Sequence, residues 1–205
     1  MSSPDLSSLA RGVARALRPL LPPLARTVLL GVGSELRRDD YAGSYAARLL
    51  TEQAGLSAAR LPFLAIEGGT APENLVGVIR SFRPDAVIVL DAAGMSLAPG
   101  SCAILSPDDI TGATFSTHML PLPVTLSYIE QTCGCRTAYI GIQPVSVAQG
   151  IGMDPRVKTG TESLVQELTA VMSQPAETIA GRNGNRINPA ETSDRLKSQY
   201  NEQHI

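Results

Sequence analysis

The sequence predicts an α/β fold of three layers, α/β/α, around a twisted, mostly parallel central sheet of about five strands. Two observations carry this reading. Short apolar runs without polar alternation, TVLLGV (27–32), PFLAIE (62–67), AVIVLD (86–91) and TAYIGI (137–142), read as strands buried on both faces. Such strands belong to parallel sheets covered on both sides. Between them lie stretches with apolar residues at helical spacing, so strands and helices alternate along the chain.

The elements follow in order. Residues 1–26 form an N-terminal extension that contains Pro19, Pro22 and Pro23 near its end. Leu6, Leu9, Val13 and Leu17 recur at helical spacing there and predict a short amphipathic helix. The folded domain is read as 27–173. Its first strand, 27–32, leads to a helix over 41–53. The second, 62–67, leads to a helix over 72–82 with Pro72 in the first turn, where a missing N–H does no harm. The third strand, 86–91, is β-branched and apolar. A short strand at 102–105, a helix over 123–132 and a strand at 137–142 follow. Asp154 is expected to cap a last helix, with Pro155 at its first position, running to about Met172. Residues 174–205 are polar, rich in Asn, Gln, Glu, Arg and Ser, and are read as a disordered tail.

The chain has 205 residues, enough for one packed domain. A net charge of −2 leaves no basic surplus for a phosphate backbone, which argues against nucleic acid as partner. No run of about 18 apolar residues predicts a transmembrane helix. The N-terminus lacks the apolar core and cleavage box of a signal peptide. Three cysteines, Cys102, Cys133 and Cys135, are too few and too odd in number for a disulfide framework, which fits a reducing cytoplasm.

Open parallel sheets place ligands at the carboxyl ends of their strands. That rule singles out 33–41, 91–94 and the loops flanking 137–142. Gly31-Val32-Gly33 after the first strand invites a dinucleotide reading, but Leu36 stands where a third glycine is needed and an acidic pair follows. Asp39-Asp40 reads either as a helix cap or as part of a site, and one can do each. Asp91 ends a buried strand and reads either as a crevice ligand or as a turn residue. His118 is one of two histidines, and His204 lies in the tail. Aspartates and an imidazole meeting through the fold would make an N/O metal site suited to Ni, Zn or Fe. Ser34 lacks the second glycine of a nucleophile elbow. Cys133-Gly134-Cys135 supplies two thiolates, which alone do not close a structural zinc site.

Five blocks carry a resemblance. GVGSELRRDD (31–40), IEGGTAPENL (66–75), VIVLDAAGMSLAPG (87–100), THMLPL (117–122) and YIGIQP (139–144) resemble, in order, the motifs of the hydrogenase maturation endopeptidases. The versions here look like the formate-hydrogenlyase, hydrogenase-3-type branch. The resemblance implies a metal-dependent endopeptidase of an aspartyl-type peptidase family, located in the cytoplasm. Its partner would be the large-subunit precursor of a [NiFe] hydrogenase, whose C-terminal extension it removes. It further implies a metal-contacting triad at Asp40, Asp91 and His118, with nickel carried by the substrate and zinc or cadmium as surrogates in crystals. The identity of the nucleophile stays open among these three. Two departures stand out: Ser34 where the family usually has Asn, and Tyr41 where it usually has Gly. The rival readings are a metal-sensing assembly factor that binds without cutting, and a nucleotide-binding α/β protein.

Overall fold

The computed structural model describes residues 5–21, 25–56, 63–106, 108–110 and 121–173. The strands are Thr27–Val32 (β1), Phe63–Gly69 (β2), Ala86–Ala92 (β3), Cys102–Leu105 (β4) and Arg136–Ile142 (β5). The described helices are Leu6–Ala16 (α1), Ala42–Leu56 (α2), Val76–Phe82 (α3), Leu122–Cys133 (α4) and Pro155–Met172 (α5), joined in places by 3-10 turns. The sheet order is β2-β1-β3-β5-β4. All neighbours pair in parallel except β4, which runs antiparallel to β5 at one edge. The expected α/β fold with a mostly parallel sheet is therefore present.

Alternation along each strand divides the core into two layers. On one face Leu29, Ile88, Leu90, Ile140 and Ile142 pack with Ala46 and Leu50 of α2 and Val157, Leu164, Val165 and Leu168 of α5. On the other Val28, Leu30, Val32, Val87, Val89 and Tyr139 pack with Val76 and Ile79 of α3 and Leu122, Leu126 and Ile129 of α4. Each fully buried aliphatic side chain stabilises the fold by roughly 1.5–3 kcal/mol before entropy is counted.

The N-terminal segment joins the first of these layers. Asp5 caps α1 by accepting the N–H groups of Ser7 at 3.1 Å and Ser8 at 3.3 Å. Ala10, Val13, Ala14 and Leu17 are buried in the same cluster as Leu164 and Leu168. The Arg136 guanidinium, on β5, donates to the carbonyls of Pro19 at 2.8 Å and Leu20 at 3.0 Å. Residues 5–21 thus add to the core of the domain.

The helix expected over 72–82 begins instead as a 3-10 turn, Pro72–Leu75, and becomes α-helical at Val76. Asp154 caps α5 as expected, accepting Arg156 N–H, and Pro155 opens the helix. α4 ends on Gly134 in the left-handed region at φ +64. No described helix is long and apolar enough to cross a membrane. The polar segment 174–205 lies outside the described residues.

The strand order fixes where a site can lie. From β1 the chain passes first to β2 on one side and then to β3 on the other, so a switch point falls between β1 and β3. There α2 begins directly against the sheet. A Cβ on Gly31 would collide with the Gly43 carbonyl, and one on Gly43 with the carbonyls of Leu90 and Val32. Two glycines without side chains let helix and strands approach at the mouth of the crevice.

Candidate active site

β1 ends in a tight turn built around Gly33, whose φ is +119. A Cβ at Gly33 would overlap the Asp40 carbonyl, so the turn folds back onto the acidic pair only because the residue is glycine. The Gly33 N–H donates to the Gly69 carbonyl at 2.9 Å, and the Ser34 N–H to Asp40 Oδ2 at 2.8 Å. The Ser44 hydroxyl donates to the Gly33 carbonyl at 2.9 Å. The amides that a pyrophosphate would need are therefore engaged by the protein itself, which disfavours the nucleotide reading.

The acidic pair divides its work. Asp39 is 1% exposed. Its Oδ2 accepts the N–H groups of Val145 at 2.8 Å and Ser146 at 2.9 Å, and its Oδ1 that of Asp154 at 2.7 Å. Asp39 is thus a brace for the loop between β5 and α5 and not a cap of its own helix. Asp40, 5% exposed, uses only Oδ2, toward Ser34; among the described residues its Oδ1 has no hydrogen-bond partner.

Asp91, at the carboxyl end of β3, is 2% exposed. Its Oδ1 accepts the Ala92 N–H at 2.8 Å and its Oδ2 the Tyr139 hydroxyl at 2.9 Å. Tyr139 lies on β5 beside Val89, two residues back from Asp91 and on the same face. Burial pushes the Asp91 carboxyl up to about 7, the Tyr139 bond opposes this, and the nearby charge of Asp40 adds to it. Burial, and then the Asp91 charge, raise the Tyr139 hydroxyl far above its ordinary value, so it remains a donor.

Asp40 and Asp91 are thus brought within electrostatic reach of each other at the switch point. The ion pairs among the described residues, Arg11–Glu167 and Arg156–Asp154, involve neither. The strain of two buried like charges can be relieved by a proton on Asp91 or by a cation between the two. His118 lies outside the described residues. Among the described residues no group of three or more His, Cys, Asp and Glu side chains gathers as a metal site.

The cysteines are poor nucleophiles. Burial pushes Cys102 up to about 12 and Cys135 up to about 11, and also raises Cys133.

Three residues escaped the reading of the sequence. Tyr139 sits inside a strand, and its partner is set by register. Asp39 has partners more than a hundred positions away. Gln143 accepts the N–H groups of Met95 at 2.7 Å and Leu97 at 3.2 Å through Oε1, so it holds the loop after β3. Gln143 and Tyr139 both stand in the block YIGIQP and Asp39 in the acidic pair, but nothing in the sequence named the partners of these side chains. Tyr41, one of the departures, adopts no left-handed backbone. Its hydroxyl donates to Glu67 Oε2 on β2 at 3.2 Å, and Arg48 lies 5.4 Å over its ring.

Residues 50–171 match the model of a family described as hydrogenase maturation protease. The Hydrogenase 3 maturation protease of Escherichia coli K12 is 35% identical over 142 residues, 69% of this chain and 87% of that protein. The crystal structure of the [NiFe] hydrogenase maturation protease HycI from Thermococcus kodakarensis KOD1 is similar with a TM-score of 0.67 at 30% identity. That match covers 77% of this chain and 99% of the other. The solution structure of the endopeptidase HycI from Escherichia coli matches with a TM-score of 0.59 at 32% identity, over 76% and 99%.

Proposed function

The chain belongs to the hydrogenase maturation protease family, and from that premise we propose that it removes the C-terminal extension of a [NiFe] hydrogenase large-subunit precursor after sensing nickel in it. Asp40, Asp91 and His118 hold the nickel that the precursor presents, and the scissile bond is set beside them. One observation supports this reading: two buried carboxylates lie within electrostatic reach of each other at the switch point, and neither takes part in an ion pair found among the described residues. A divalent cation is the natural complement of such a pair, and a cation there can polarise a carbonyl or activate water.

The residues around the pair support the role. The Ser34 amide fixes Asp40, and the Ala92 amide and Tyr139 hydroxyl fix both oxygens of Asp91, so the carboxylates are aligned before substrate arrives. The metal belongs to the substrate in this reading, and the enzyme needs none when alone.

The test uses purified enzyme with nickel-loaded and nickel-free precursor, read by the size of the large subunit. Cleavage of the loaded form only is expected, and His118→Ala should abolish it without lowering the melting temperature. Equal cleavage of both precursors would refute nickel sensing. Normal cleavage by a folded His118→Ala enzyme would refute the triad.

A further inference from the structure

Ser34, whose amide holds Asp40, also lines an open groove of about 450 Å³ together with Leu36, Arg37, Gln149, Gly150 and Ile151. Two loops build the groove, 33–41 after β1 and 143–154 after β5. They are joined as a short parallel bridge: Arg38 N–H donates to the Gly150 carbonyl at 2.9 Å, and Gly150 N–H to the Leu36 carbonyl at 2.9 Å. The Asp39 carboxylate ties the same two loops together.

From this braced frame large aliphatic side chains project into solvent. Leu36 is 67% exposed and Ile151 79%. A single exposed aliphatic residue is ordinary. Two that line one groove, whose wall residue Ser34 also bonds the Asp40 carboxylate, are not accounted for by folding. Arg37, on the same groove, donates through Nε to the Val147 carbonyl at 3.2 Å and takes part in neither ion pair found among the described residues. Its remaining N–H groups can meet peptide carbonyls or a carboxylate.

The geometry points to this groove as the seat of an extended peptide segment flanking the scissile bond of the precursor, with a large apolar side chain lodged between Leu36 and Ile151. The inference rests on the endopeptidase reading above. A site that cuts a peptide bond must hold chain on at least one side of it, and this apolar groove adjoins Asp40 through Ser34, which lines it and bonds the carboxylate. Its volume lies within the range of roughly 300–1,000 Å³ typical of ligand sites. Because hydrogen bonds fix both walls in advance, binding there orders little of the enzyme.

The test compares wild type with the double variant Leu36→Ser/Ile151→Ser, with Ile151→Leu as the conservative exchange and Val78→Asp, on α3, as an exposed control. One measurement is the kinetics of processing of the nickel-loaded precursor. The other is fluorescence anisotropy of a labelled synthetic peptide that spans the scissile bond. For the double variant KM should rise about tenfold with kcat within about twofold, and the peptide Kd should weaken about tenfold. Ile151→Leu keeps an apolar side chain in the groove, so its KM and peptide Kd should lie far closer to wild type than those of the double variant, and Val78→Asp should match wild type. A double variant equal to wild type in both KM and peptide Kd overturns the groove and leaves the endopeptidase reading standing. Peptide binding that weakens in the variant, with no cutting of precursor or peptide by any form, keeps the groove and removes the endopeptidase reading. Neither binding nor cutting by wild type overturns both.

Discussion

Asp39 commits both carboxylate oxygens to three backbone amides, whereas among the described residues Asp40 commits one oxygen, to the Ser34 amide. Asp39→Asn would turn an amide N–H group toward at least one of those buried donors. Charge-assisted hydrogen bonds of this kind contribute about 1.5–3 kcal/mol each, so a loss of about 3 kcal/mol is expected in a denaturant titration. A loss below about 0.5 kcal/mol would show that the brace is not structural. Asp91 gives a second expectation, in pH. Burial raises its native carboxyl from about 3.8 to about 7, so the native state holds its proton more tightly than the unfolded chain. The stability tied to that proton is complete below about 3.8 and is lost as pH rises to about 7, by an amount on the order of 4 kcal/mol. Asp91→Asn does not titrate. Its melting temperature relative to wild type, measured with chelator present, should therefore rise between pH 5 and pH 8, about these values. A constant difference over that range would contradict the buried carboxylate. Both aspartates of the site were legible in the sequence because strand ends in parallel sheets face the crevice. The residue pattern alone left open which of Asp39 and Asp40 serves a site, and only the resemblance pointed to Asp40, because the amides that claim Asp39 lie in a distant loop.

At the scale of elements, α1 is the segment whose role was least visible. Its apolar spacing announced a helix, but nothing local says what that helix covers. The partner is α5, at the other end of the domain, and Leu17 is fully buried in their shared layer. Leu17→Ala should cost about 2–5 kcal/mol, read as a drop in denaturation midpoint with unchanged slope. A cost under about 0.5 kcal/mol would mean that the helix is only loosely attached. The direction of β4 was equally hidden, since a run of four apolar residues at an edge, only Cys102 of them buried, looks alike in either sense. The 3-10 opening of α3 escaped for a related reason: Pro72 suits the first turn of either helix type, and apolar spacing over so few residues does not distinguish them.

At the scale of the whole molecule, alternation of apolar runs and helices was enough to announce a covered parallel sheet, but not the order of its strands. That order, β2-β1-β3-β5-β4, sets the ends of β1 and β3 side by side and so brings Asp40 near Asp91 across fifty positions of sequence. The residues alone offered His118 as a loop imidazole that could join the two aspartates, the resemblance placed it in a triad with Asp40 and Asp91, and it lies outside the described residues. The bridge between Leu36–Arg38 and Gly150, together with the single carboxylate of Asp39, makes loops 33–41 and 143–154 one unit. Neither loop can be grafted by itself into a related scaffold: 143–154 would arrive without the acceptor for its amides, and 33–41 would carry a buried negative charge with nothing to meet it. Exchange of recognition surfaces between relatives, in the laboratory or in evolution, must therefore move both segments together, although more than a hundred residues separate them along the gene.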